Sequence, residues 1–145
     1  MSLKQSAILL VLAGALVAGG YFLFGGSDRR ATPGAETDGA PLVEIVLPQA
    51  LSTEAQAGKR LFDENCVTCH GANAVGREEL GPPLVHIIYE PGHHGDEAFQ
   101  RAVAIGVRRH HWPFDNMPPV EGLNRDDVAL IVAYIRELQR ANGIE

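Results

Sequence analysis

At 145 residues the chain has room for one domain with accessories, and a hydrophobic content of 46% is a globular proportion. The formal net charge is −6, and the part beyond Phe24 carries 11 basic against 18 acidic residues. That balance argues against nucleic acid as a partner and against a general polybasic membrane patch.

Part of the apolar content is concentrated at the N-terminus and never reaches a core. Ala7 to Phe24 runs for 18 residues without a charge, and Gly25 and Gly26 extend it to 20. This is the lower range for crossing a bilayer and longer than the usual apolar region of a signal peptide. Small residues around Val17–Gly20 offer a signal-peptidase site. Against that, Tyr21-Phe22-Leu23-Phe24 continues the apolar run and suits an interfacial belt. An uncleaved anchor over residues 7–26 is therefore preferred to a removed signal, with residues 1–6 on the cytoplasmic side. Lys4 and Arg29-Arg30 nearly balance the flanking charge, so charge alone does not orient the segment.

Residues 27–51 are expected to link anchor and domain. Within and just before them, Gly25 to Pro41 is a Gly/Ala/Pro/Asp stretch of 17 residues without periodicity, with an average reach of about 20–25 Å if flexible. Leu42–Leu47 is a short apolar run that suits either a strand or an extended segment against the domain. The domain is expected over 52–145. Thr53 is placed to cap a first helix, with Gln56 completing a capping box. Ala57, Leu61 and Phe62 share a face of that helix, on which Gly58 leaves a shallow place.

The helix should end near Asn65 and present Cys66-Val67-Thr68-Cys69-His70, which holds the chain's only two cysteines. C-x-x-C-H is the spacing of covalent c-type haem attachment. The thiols add across the two porphyrin vinyl groups, and the adjacent imidazole becomes the fifth iron ligand. A C-x-x-C redox pair does not need the histidine and usually sits beside a βαβ pattern, which is absent here. A zinc site wants a second ligand pair, and neither His93-His94 nor His110-His111 has finger spacing.

A long Gly-, Pro- and His-rich stretch follows, without a strand pattern. A second helix is predicted over Asp96–Ile105, capped by Asp96, with Phe99, Ala102 and Val103 inward and Gly106 as its stop. The third helix is capped by Asn124. Asp126 and Asp127 suit its positive end, and Arg136 and Arg140 its negative end. Val128, Ile131, Ile135 and Leu138 recur at helical spacing, and Gly143 terminates it. There is no internal repeat.

A haem iron held by one histidine has a sixth position to fill. Met117, 47 residues after His70 and followed by Pro118-Pro119, is the only methionine besides the initiator. A thioether favours ferrous iron, so His/Met ligation raises the reduction potential. His110 and His111, six or seven residues away, are the competitors, and an ordinary loop methionine is the bland alternative. For His86, His93-His94 and His110-His111 the default is a surface or hydrogen-bonding role. A secondary copper or zinc site built from the two pairs is the alternative, although adjacent histidines on an extended loop tend to point apart. Arg108 and Arg109 offer a local positive patch, or partners for haem propionates, Glu90 or Asp96. Trp112 suits either the propionate side or plain packing.

With these parts in order, Ser52 to Ile144 resembles the class I c-type cytochromes. The resemblance rests on the helix AGKRLFDEN with Gly58 and Phe62, on CVTCH, on Gly81-Pro82-Pro83-Leu84, on Met117-Pro118, and on the helix VALIVAYIREL with Tyr134. It implies an all-α fold of three or more helices and long loops around one covalently bound haem c, here preceded by a single transmembrane helix. It implies that Ile131 and Tyr134 pack on Gly58 and Phe62 where the first and last helices cross. It implies haem binding through Cys66, Cys69, His70, Pro82 and Met117, with His70 and Met117 on the iron and the Pro82 carbonyl orienting His70. The stretches HIIYEPGHHGDEAF and VRRHHWPFDNMPP lie outside the general pattern.

The expected role is a non-enzymatic electron carrier, single-pass in the bacterial cytoplasmic membrane with its haem domain in the periplasm. Its donor would be a quinol-oxidising complex or a dehydrogenase, and its acceptor a terminal oxidase or reductase. The same parts also suit a bound subunit of such a complex. The rival is a haem sensor or small-gas binder with an open sixth site. A peroxidase-like enzyme would need His110 or His111 as acid–base group.

Overall fold

The computed structural model describes residues 39–145. The expected anchor and the first part of the expected linker lie outside the described residues. Among those described, no helix is long and apolar enough to cross a membrane.

Four α-helices make the frame: α1 (Thr53–Asn65), α2 (Val67–His70), α3 (Asp96–Ile105) and α4 (Arg125–Ala141). Single 3-10 turns at Ala72–Ala74 and Ile87–Tyr89 interrupt the long connection between α2 and α3. The described residues contain no strand, only isolated antiparallel bridges between Arg77 and Gly81 and between Val107 and Met117.

The cap of α1 stands one residue earlier than the sequence suggests. Ser52 Oγ accepts from the Ala55 N–H at 3.1 Å, which satisfies one of the unpaired donors of the first turn. The expected capping box does not form, because the Gln56 amide donates to the Leu51 carbonyl at 2.9 Å instead. For α4, Asn124 accepts from the N–H groups of Asp126 and Asp127, and Asp127 returns the bond to the Asn124 N–H, closing a full capping box. Helix α3 begins at Asp96 as predicted, but Gly95 holds the cap position. The Asp96 carboxylate is engaged elsewhere, by Arg136 at 3.0 Å.

Helices α1 and α4 cross at the centre, and Gly58 sets how closely. A Cβ built there would lie 1.8 Å from the Leu130 carbonyl oxygen and 3.0 Å from the Ile131 nitrogen. Only a residue without a side chain lets the two backbones approach so far. Around the crossing, Phe62 and Tyr134 are fully buried and meet edge-on with ring centroids 5.7 Å apart, a geometry favoured by aromatic quadrupoles. Ala55, Ile131, Ile135 and Leu138 complete this cluster, with Leu84 and Val85 closing it from the loop. Val103 of α3 packs on Val128 and Val132 in a second, smaller cluster.

Leu42–Leu47, within the stretch expected to link, is not a strand and begins with a bend at Leu42 and Val43. The N–H groups of Leu42 and Val43 both donate to the Val75 carbonyl. Asn142 brackets Val46 from both sides, its amide oxygen accepting at 2.7 Å and its amide nitrogen donating at 2.9 Å. Arg136, read from the sequence as a dipole partner at the end of α4, is instead 7% exposed. It donates to the carbonyls of Tyr89 (2.7 Å) and His94 (2.6 Å) and to Gln139 Oε1 (2.6 Å) as well as to Asp96. One buried guanidinium thus holds the 89–96 loop onto α4.

Candidate functional site

Cys66 ends α1, its N–H donating to the Phe62 carbonyl at 2.8 Å, and at the same time begins α2. The single turn of α2 then carries Cys69 and His70 round to one wall, with the His70 N–H on the Cys66 carbonyl at 2.9 Å. Opposite them a tight turn closes through reciprocal Arg77–Gly81 backbone bonds of 3.0 and 3.1 Å. The buried Arg77 guanidinium ties that turn to α2 through the Thr68 carbonyl. The turn aims the Pro82 carbonyl at His70 Nδ1, 2.9 Å away. A carbonyl only accepts, so Nδ1 carries the proton and Nε2 keeps its lone pair. Burial lowers the proton affinity of this imidazole, with the Pro82 bond acting the other way, so the ring is held neutral and fit to ligate a metal.

These residues face a cavity of about 530 Å³ with mainly apolar walls. Cys66, Cys69, His70, Pro82 and Met117 all line it. Phe62, Phe99, Val103, Ile131 and Ile135 supply the packing surfaces. The Met117 loop is pinned at its root, where Val107 and Met117 exchange backbone bonds of 2.9 and 3.0 Å. Gly106, at φ +76°, makes the turn before it, and a Cβ there would meet the Met117 carbonyl at 2.5 Å. The loop between carries Arg108, Arg109, His110, His111 and Trp112, all on the cavity lining.

Burial and the neighbouring Cys69 push the Cys66 thiol up to about 11, which disfavours its thiolate form. Among the described residues, the groups that bring three metal-ligating atoms together do not include Cys66, Cys69 or His70.

The cytochrome c family profile matches residues 55–139. The chain belongs to the cytochrome c family. This family carries covalently attached haem c and serves electron transfer. The chain is similar to the cbb3-type cytochrome c oxidase subunit FixP of Bradyrhizobium sp. (strain ORS 278), 51% identical over 37 residues, covering 26% of this chain and 13% of the relative. It is similar also to FixPc of Rhizobium leguminosarum bv. viciae, 43% identical over 51 residues (34% and 17%). The cytochrome bc1 complex cytochrome c subunit of Mycobacterium leprae (strain TN) is 32% identical over 98 residues, 61% of this chain and 27% of the relative. The chain thus spans about a quarter or less of the length of these relatives.

The residues present fit a haem c. Two thiols and a neutral, oriented imidazole share one wall of an apolar cavity, and a thioether lines it too. The cavity also holds a buried donor that lacks a partner: the Trp112 indole N–H makes no bond of hydrogen-bond geometry. It lies near Tyr89, whose hydroxyl is pushed up to about 12 by burial and eased slightly by the indole. An acceptor group on the bound cofactor would satisfy it. Asp96, offered by the sequence as a partner for Arg108 or Arg109, pairs with Arg136.

The histidine pairs, given a surface or hydrogen-bonding role by default from the sequence, gather in the structure. His93-His94 and His110-His111 come from loops on either side of α3, yet their rings meet at one rim, with centroid separations of 4.3 to 6.0 Å. The repeated HH doublet was the available signal. The Arg136 network that folds the 89–96 loop back was not visible.

Proposed function

We propose that this chain is a membrane-tethered periplasmic electron carrier, or a tethered cytochrome subunit of a respiratory complex, with one haem c ligated by His70 and Met117. When bound, that haem supplies reversible one-electron transfer between Fe(II) and Fe(III). The observation that carries the reading is the convergence of Cys66, Cys69, the Pro82-oriented His70 and Met117 on one apolar cavity.

Each residue has a task in that reading. Cys66 and Cys69 fix the cofactor covalently, so a small domain needs no enclosing pocket. The Pro82 carbonyl holds His70 in one tautomer and raises the basicity of Nε2, a common device for a ligating imidazole. Met117 is held by the Val107 bridge and by Pro118-Pro119, which keeps the sulfur in place in both oxidation states. The mainly apolar walls would limit the water around a bound haem and so the reorganisation on a change of its charge. Arg108 and Arg109, exposed on the cavity rim of an otherwise acidic protein, would steer an acidic partner in a salt-dependent way.

Residues 7–26 would anchor the chain in the bacterial cytoplasmic membrane, and the stretch after them, up to the segment at Leu42–Val46 that bonds to Val75 and Asn142, would tether the domain outside it. Donor and acceptor would be a quinol-oxidising complex or dehydrogenase and a terminal oxidase or reductase. That assignment is supported by relatives named as subunits of bc1 and cbb3-type complexes.

Replacing Met117 with Ala tests the ligand set. The reduction potential should fall and the ferrous form should gain CO binding, while His110→Gln and His111→Gln leave the potential near that of the unaltered protein. An unchanged potential in Met117→Ala, or CO binding by the unaltered ferrous protein, would transfer the case to an open-site gas binder or sensor.

A further inference from the structure

Three of the gathered histidines do more than crowd one another. His93, His94 and His111 each present a ring nitrogen such that all three lie within 4.8 Å of one another. We propose that they form a second metal site, for a divalent transition-metal ion of the Zn²⁺ or Cu²⁺ class, at the rim of the cavity. Neutral imidazoles are suitable ligands for both ions. The proposal rests on the reading above in one respect, that Met117 and not His111 completes the haem iron; a fallen potential in His111→Gln would mark failure of that reading, apart from the loss of Zn²⁺ binding tested below.

For the His93–His111 pair the spacing is what such an ion needs. His93 Nε2 and His111 Nε2 are 3.3 Å apart. Two nitrogens at about 2.0–2.1 Å from a tetrahedral ion stand about 3.3–3.4 Å from each other. Without an ion, one of the two nitrogens must carry a proton to bridge that distance; an ion would take the place of that proton.

The third histidine has one ring nitrogen engaged. His94 Nδ1 donates to the Ile88 carbonyl at 2.6 Å, which leaves Nε2 as the ligating atom, the usual arrangement for a metal-binding histidine. Its backbone is fixed as well. The N–H groups of His93 and His94 both bond the Glu90 carbonyl, at 3.1 and 2.8 Å, and the buried Arg136 holds the His94 carbonyl at 2.6 Å. Little ordering therefore has to accompany binding at this residue. His110 stands apart from the set: its Nδ1 bonds the Arg108 carbonyl at 2.8 Å and its ring stacks on His94.

His93 and His111 are exposed and His94 is half-buried, so an ion reaches the site from solvent and keeps a fourth position for water. The ion would cross-link the 93–94 loop to the loop that runs on to Met117, on the far side of α3.

The test is calorimetric titration of the haem-loaded full chain in detergent with Zn²⁺, and electron paramagnetic resonance of the same protein with one equivalent of Cu²⁺. One Zn²⁺ per chain is expected, with affinity lowered at least tenfold in His93→Gln/His111→Gln and also in His94→Gln. His86→Gln, outside the cluster, should keep it. The Cu²⁺ spectrum should show coupling to several nitrogens in the unaltered protein and lose it in the double variant. An unchanged haem spectrum reports that each variant folds. Absence of stoichiometric Zn²⁺ binding, or binding that survives both His93→Gln/His111→Gln and His94→Gln, would overturn the site.

Discussion

Substituting Gly58 with Ala places a methyl group where the α1–α4 crossing has no room. The new Cβ would start 1.8 Å from the Leu130 carbonyl oxygen, whereas an ordinary contact begins at 3.4 Å, so the helices must part by about 1.6 Å. A gap of 0.5–1 Å already forfeits roughly a quarter to a half of the dispersion between facing atoms. The atoms concerned belong to Phe62, Tyr134, Ile131 and Ile135, all buried. Overpacking of this kind costs about 3 kcal/mol, and the better helix propensity of Ala returns about 1 kcal/mol. The net loss is about 2 kcal/mol, which for a domain of this size lowers Tm by about 8–16 °C. Thermal unfolding of the haem-loaded protein, followed by circular dichroism, reads it. Gly92→Ala is the control, since a Cβ there has only Glu90 Oε1 within 4 Å, at 4.0 Å. A Gly58→Ala protein melting within a few degrees of the unaltered one would refute the close-crossing account.

Arg136→Met should cost about 3 kcal/mol in denaturant unfolding, because it strips the His94 carbonyl and Gln139 Oε1 of a buried charged donor. A change below about 1 kcal/mol would show that the network is ornamental. Asn124→Ala removes the α4 capping box and should cost about 1 kcal/mol, measured the same way. Stability should also fall as pH rises above 10. Burial lifts the Tyr89 hydroxyl to about 12 and raises Tyr134 as well, so between pH 10 and 12 the unfolded chain releases protons that the folded one keeps. The denaturant midpoint at pH 11 should lie below that at pH 9, and Tyr89→Phe should reduce the difference.

The parts of the fold legible in the sequence were those set by local rules. Helix α4 is announced by its Asn124 cap, its acidic first turn and its apolar period, and each feature has its counterpart in the structure. The crossing of the first and last helices was implied by the family resemblance that CVTCH, Gly58, Phe62 and Tyr134 carry, and the structure has it at Gly58. The errors came where a side chain had a distant alternative. Asp96 has the chemistry of a cap, but Arg136 from another helix outbid the local amides, since a charged buried donor gains more from a carboxylate than an exposed helix end does. Arg136 itself read as a solvated end-of-helix cation because nothing local says that the 89–96 loop folds back over it. Thr53 lost its cap to Ser52 by one residue, the ordinary uncertainty of helix ends. The histidine pairs were underestimated for a similar reason. Each doublet alone points its rings apart, and only the tertiary return of two loops brings three nitrogens together.

The central claim, one haem c held between His70 and Met117 in a carrier, is tested most directly by the absorption spectrum of the purified haem-loaded protein, oxidised and reduced, with and without CO. The account predicts the weak long-wavelength ferric band of thioether–iron ligation and a ferrous spectrum that CO does not shift. A ferric spectrum lacking that band together with a CO-induced shift would contradict it.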